Sequence, residues 1–349
     1  LQPQDKLYLI VRKDIENITR DRYSEFIVNP KIIPSGLMLN GATIWNKALL
    51  ENIEINKSYS SNGKIIAINR NISTNLDEFY ALLKDSIQVT LDINVIHIDY
   101  IWDIIFNLSD MLFEDSKIDI KSPENYYIHS SAIIDNKNDV VINEDAHIAA
   151  GVILDTSNGP IIIDKGVKID IGALIQGPIY IGKNTIINPG SKLRGNISIG
   201  PVCKIGGELE SVIIQGYTNK QHDGYLGHSF LGEWINLGAN TNNSDLKNNY
   251  SDVKFQIGDN VIDTKQIFLG CMIGDYTKTG ISTMINTGTY IGLGCNLFGG
   301  DFQDKQIPSF TWGREDRMEL DKFLQTLNIV KKRRDRSITK AEEIMIEIF

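Results

Sequence analysis

From Ile163 to Ile205 every sixth residue is aliphatic: Ile163, Ile169, Ile175, Ile181, Ile187, Leu193, Ile199 and Ile205. A helix repeats its buried face every 3.6 residues and a half-buried strand every second residue, so neither produces a period of six. The period is that of a parallel β-helix, in which three short strands and three tight corners close a triangular coil of about eighteen residues. One aliphatic side chain per hexad points inward and stacks on its counterparts in the coils above and below. The residues that follow include Asp164, Asp170, Gly182, Asn188, Gly200 and Gly206, types that tolerate the backbone angles of sharp corners. The interior of such a prism is filled, so function must be sought on its edges.

The coils are expected to begin near Ile128, to be regular by Ile142 and Ile148, and to break after Ile205, where Ser211 and Asn219 fall at inward positions. They resume at Leu231 and Leu237 and break again over the polar run 242–265. Ile267, Ile273, Ile285, Ile291 and Leu297 carry the pattern to about Phe302, with Thr279 as the exception. Interruptions in a repeat array are loops pushed out of one coil, and such loops tend to line the binding face.

Residues 1–120 lack the hexads and read as an incomplete α/β region. Segments 7–11 and 64–69 read as strands, 75–84 as a helix capped by Asn75, and 98–108 as the entry to another. In the pair Trp102-Asp103 the simplest roles are a packing indole and a helix-capping carboxylate. No glycine precedes Gly36, whereas a nucleotide-binding α/β domain carries a Gly-rich phosphate loop after its first strand. Either this region never bound nucleotide or its first segment lies outside the chain. Residues 313–349 read as a helical cap, with apolar residues at 320, 323, 324 and 327 and a capping box starting at Thr339. The domains expected are therefore 1–120, 121–312 and 313–349.

Composition narrows the function classes. A net charge of −9 over 349 residues argues against nucleic acid as a partner. There is no run of eighteen apolar residues and the opening residues are polar, so neither a membrane span nor a signal peptide is expected. Cys203, Cys271 and Cys295 have no metal-binding spacing, and a reduced, cytoplasmic protein accounts for them.

Five histidines occur, His97, His129, His147, His222 and His228. The last two share one Gly-rich stretch but no helical i, i+4 face and no nearby cysteine, so no metal site is expected. A neutral imidazole is suited to taking a proton from an amine nucleophile.

The order His222-Asp-Gly-Tyr225-Leu-Gly227, then Gly232, then Asn236-Leu-Gly238-Ala239 resembles the acetyltransferase motif of a bacterial family. That family is the bifunctional UDP-N-acetylglucosamine pyrophosphorylase/glucosamine-1-phosphate N-acetyltransferases. The runs HDGYLGHS and NNSDLKNNY are similar to a variant branch named as sugar nucleotidyltransferases. The resemblance implies a left-handed parallel β-helix of hexapeptide repeats, mainly β in class, with a nucleotidyltransferase-like α/β remnant before it and helices after it. It implies that His222 deprotonates the amine of an amino-sugar 1-phosphate, which attacks acetyl-CoA directly, and that the N–H of Ala239 faces the oxyanion. Arg194, Lys220, Tyr225 and Asn236 would bind the sugar phosphate, with Lys247 and Lys254 as other candidates for the lysine. Ala239, Asp245, Ile281 and Gly299 would line coenzyme A. The chain departs from the family in Asp245-Leu246, where the family has Asn-Tyr, and in the bulk of Ile281. A homotrimer with sites between adjacent prisms is also implied, as is Mg2+ if a complete nucleotidyltransferase domain is present.

Three readings stand on these residues: an amino-sugar-phosphate N-acetyltransferase, a sugar-1-phosphate nucleotidyltransferase whose prism serves trimerisation, and a non-catalytic sugar-nucleotide scaffold. The nucleotidyltransferase reading requires an N-terminal Gly-rich loop and lysine that this chain does not carry.

Overall fold

A computed structural model describes residues 6–85, 88–90, 95–117 and 125–348. The chain divides into two compact units, Leu1–Asp99 with Leu324–Phe349, and Tyr100–Phe323.

The second unit is the parallel β-helix that the hexads require, left-handed as the resemblance implies. Three columns of short strands make its faces. The first face runs through Ile153–Asp155, Leu174–Gln176, Lys192–Arg194 and the start of Tyr225–Glu233. The second runs through Ile161–Ile163, Ile179–Ile181, Ile197–Ile199 and Cys271–Ile273. The third runs through Lys168–Ile169, Ile186–Ile187, Lys204–Ile205, Asn219–Lys220 and Lys278–Thr279. Each strand pairs in parallel with its counterpart one coil away, as Ile161–Ile179–Ile197 and Lys168–Ile186–Lys204 do. The eight hexad residues from Ile163 to Ile205 are each at most 1% exposed. Burial of this kind contributes roughly 1.5–3 kcal/mol per side chain, which is why a repeat of short strands with few local contacts holds together.

Past Ile205 the coil shortens, and the inward residues become Leu209, Ile214 and Lys220. Ser211 does not continue the aliphatic column. It sits at a corner in the left-handed region (φ 53°). Asn219 faces out, because it is Lys220 that pairs with Ile205. Ile267 is 45% exposed and lies in the excursion between Leu246 and Phe268, which bridge each other at its base. The excursion carries an antiparallel hairpin, Lys254–Ile257 with Asn260–Asp263. Coiling resumes at Cys271–Ile273, where Phe230 pairs with Met272.

Helix Ile101–Ser116 belongs to this unit, although its sequence position grouped it with residues 1–120. Trp102, Ile105, Leu108 and Leu112 face inward and join Ile213, Val253, Phe255, Leu269 and Met272 in one cluster. Trp102 packs against Phe255 and Asp103 accepts the Tyr100 N–H at 2.8 Å, so the pair packs and caps as its residue types suggest. Phe323 closes the unit, its ring edge-on to Phe310.

In the first unit a sheet is ordered Gly36–Leu39, Lys64–Arg70, Lys57–Ser61, Gln88–Thr90. Asn75 Oδ1 caps helix Leu76–Asp85 by accepting the Glu78 N–H. Helix Lys340–Ile348 packs against helix Glu16–Arg22, so the C-terminal segment completes this unit. It starts with the expected reciprocal bonds between Thr339 and Glu342. No helix among the described residues is long and apolar enough to cross a membrane.

Candidate active site

Asn219, Asn236, Lys278 and Asn296 pair in succession along the third face. Three residues beyond each, where the third face turns into the first, stand His222, Ala239, Ile281 and Gly299. The register therefore puts all four on one corner, on consecutive coils. Neighbouring coils lie about 4.8 Å apart, so the column from His222 to Gly299 is roughly 14 Å long. Four residues that the sequence treats as separate become one line.

The His222 imidazole is exposed, and no hydrogen-bond partner takes it among the described residues. One coil on, the Ala239 carbonyl accepts the Ser282 N–H at 2.8 Å, while its own N–H has no acceptor among the described residues. A free imidazole one rung from a free backbone donor can take a proton from a nucleophile and stabilise an oxyanion at adjacent points. Ile281 is 78% exposed and extends the column as an apolar ridge. Gly299 (φ 124°) leaves open space that only the Arg314 guanidinium borders, 4.0 Å from where a Cβ would lie.

On the first face, Tyr225 and Asp245 meet directly. The Tyr225 hydroxyl donates to Asp245 Oδ2 at 2.8 Å, and His228 Nδ1 lies 2.8 Å from the same oxygen. Gly227 makes this possible: a Cβ there would stand 2.2 Å from both the carboxylate and the hydroxyl. The His228 ring stacks on Phe268 at 5.1 Å. Burial works to raise the Asp245 carboxyl, but hydrogen bonds from His228 and Tyr225 outweigh it and hold the group below its ordinary range. Burial, reinforced by the bond to Asp245, pushes the Tyr225 hydroxyl well above its ordinary value. Asp245 thus belongs to a buried network and is not on the corner with Ala239, contrary to its expected place beside coenzyme A. His228 escapes sequence reasoning because its partner lies seventeen residues away.

The other expected ligands divide. Asn236 lies on the third face beside the corner, its Oδ1 accepting from Asn219 at 3.2 Å. Lys278, which sequence reasoning passed over, stands one coil from it, and burial lowers its pKa. Arg194 is two coils below Tyr225 and held between Glu208 and Glu210, 3.0 Å from each. Both ion pairs are made through Nη1, and the side chain is half exposed. Lys220 is turned into the prism, 2% exposed, with Nζ donating to the carbonyls of His222 at 2.6 Å and Gly206 at 3.1 Å. It presents no ammonium to a substrate at the surface, because its position in the register is an inward one.

Three inward hexad positions around this site are polar. Lys220, Asn243 and Thr279 occupy inward positions that are Ile or Leu in neighbouring coils. Asn243 is bonded to both backbone groups of Gly227, and Thr279 Oγ1 accepts the Gly238 N–H. Buried polar groups cost free energy unless satisfied, and these are satisfied by the corners that carry the site.

No family model matches the chain. It is 29% identical over 262 residues, 74% of this chain and 62% of the relative, to a bifunctional sugar-1-phosphate nucleotidylyltransferase/acetyltransferase of Sulfurisphaera tokodaii. It is 31% identical over 105 residues, 30% of this chain and 26% of the relative, to the bifunctional protein GlmU of Methanocaldococcus jannaschii. Among solved structures, a UDP-N-acetylglucosamine acyltransferase from Campylobacter jejuni is 14% identical, with 64% of this chain and 95% of that chain covered and a TM-score of 0.26. The curated relatives are of the kind that the motif from His222 to Ala239 resembles, and the chain spans less than two thirds of their length.

Proposed function

We propose that this chain is an N-acetyltransferase that moves an acetyl group from acetyl-CoA to the amine of an amino-sugar 1-phosphate. The observation that carries the reading is the corner column, which aligns an exposed imidazole, an unused backbone N–H, an apolar ridge and an open glycine. The coenzyme would lie along Ile281 and Gly299 with its thioester at Ala239, beside Arg314, whose guanidinium is ion-paired with Asp301 at 3.0 Å. His222 would take the amine proton as the nitrogen attacks the carbonyl carbon. The Ala239 N–H would receive the oxyanion until the thiolate leaves. Asn236, Tyr225 and Lys278 flank the column on either side and would orient the sugar phosphate. The reading includes a homotrimer, in which the exposed corner of one prism faces its neighbour.

The test is His222→Ala in the purified chain, assayed for acetyl transfer from acetyl-CoA to glucosamine 1-phosphate. The expected loss is roughly 10²–10⁴-fold in kcat, with the oligomeric state measured by light scattering unchanged. A wild-type rate in that variant would overturn the assignment of the base.

A further inference from the structure

The backbone that carries His222 is held by side chains as well as by its neighbouring coils. At this corner the Gln221 carbonyl accepts Asn188 Nδ2 at 2.8 Å, and the His222 carbonyl accepts Lys220 Nζ at 2.6 Å. The Asp223 carbonyl accepts the Asn240 N–H at 3.0 Å, and the Gly224 carbonyl accepts the Glu208 N–H at 3.2 Å. The His222 ring itself is free, so its place in space is set by the backbone beneath it.

Packing alone does not account for Lys220. The residues before and after it in its column, Ile205 and Leu237, are aliphatic and 0% and 2% exposed, and an aliphatic side chain would fill the same position. A lysine loses its hydration there. What it gains is the pair of carbonyls, Gly206 and His222, on consecutive coils. Gly207 keeps the space for that grip. A Cβ at Gly207 would stand 2.9 Å from both Lys220 Nζ and the His222 carbonyl oxygen, at a backbone φ of +79° that already disfavours side chains. Burial lowers the Lys220 pKa to about 8, with Asp223 as the charged group opposing that shift.

We infer that Lys220 is a positioning residue: from inside the prism it fixes the corner that presents His222. The inference rests on the proposed role of His222 as base, and its test has one arm that does not. Wild type, Lys220→Met and Lys220→Gln are compared as full chains by hydrogen–deuterium exchange of the amides of Gly206, Glu208 and Asn240, which donate to the corner carbonyls of Lys220, Gly224 and Asp223. Both variants are also assayed for kcat/KM, with the folded fraction of each measured by circular dichroism. The Met variant is expected to exchange at this corner at least tenfold faster, with the aliphatic coils around Ile169 and Ile187 unchanged. Gln, which keeps a donor on a shorter stem, is expected to fall between.

In the Met variant kcat/KM per folded molecule is expected to fall at least tenfold, and Gln is expected to restore part of it. A variant that merely folds less completely would lose rate in proportion to its unfolded fraction and keep the wild-type rate per folded molecule. Wild-type exchange at the corner together with a wild-type rate per folded molecule would overturn the inference. If the Met variant does not fold, the Gln variant decides by the same two comparisons. A His222→Ala enzyme that retains its rate would remove the proposed function, while the exchange arm would still decide whether Lys220 holds the corner.

Discussion

His228 Nδ1 lies 2.8 Å from Asp245 Oδ2, the same oxygen that accepts the Tyr225 hydroxyl. An ionised carboxylate only accepts hydrogen bonds, so Nδ1 is the protonated nitrogen and Nε2 of a neutral ring carries the lone pair. The network ties the first strand of the site to the point where the excursion of residues 246–268 leaves the prism. It is also where the chain departs from the amide its resemblance would place at Asp245.

Replacing that carboxylate gives the first expectation. In Asp245→Asn the amide oxygen can take the place of Oδ2 and accept from both donors, but the two bonds lose the carboxylate's charge and with it about half their strength. The loss should be about 1–3 kcal/mol. Because the native Asp245 pKa is depressed below its ordinary 3.8, the contribution is present above that pH and disappears as pH falls through the native value. Thermal melts of both proteins between pH 6 and 3 check this, since the gap in Tm should narrow toward acid.

Lys220 has the opposite sign. Its native pKa of about 8 lies below its ordinary 10.5, so between these values the unfolded chain binds the proton that the native chain has released. Stability should therefore rise with pH across that window. Lys220→Met should flatten the rise, and denaturant unfolding at pH 7.5 and 10 measures the difference.

Ile281 separates binding from folding. At 78% exposed its truncation to Ala should change stability by less than about 0.5 kcal/mol. If the coenzyme lies along this corner, the KM for acetyl-CoA should change severalfold while kcat stays within about twofold. An unchanged KM would place the coenzyme elsewhere.

The aliphatic column offers a control far from any chemistry. Ile187 is 0% exposed between Ile169 and Ile205. Ile187→Ala should cost about 2–5 kcal/mol through the cavity it leaves, read as a lower urea midpoint at constant m-value.

The prism was legible because its signal is local and repeated. Each hexad contributes one inward side chain, and eight in succession leave one geometry that can bury them. The motif from His222 to Ala239 was legible as a resemblance, since its spacing equals one coil. What the sequence could not show is which residue turns inward once a coil shortens. A change of a few residues before Lys220 moves that lysine from the surface to the interior and sends Asn219 out. Nor could it show that Tyr225, His228 and Asp245 share one oxygen, because that contact follows from stacking across coils and from the space left by Gly227. Helix Ile101–Ser116 was readable as a helix, but its buried face found its partners in Ile213, Phe255 and Met272, over a hundred residues on. Periodicity determined the architecture, because burying an aliphatic residue every six positions is a constraint carried by the chain itself. Register between coils decided the chemistry, since it alone set which polar groups face each other, which are sealed inside and which remain free at the corner.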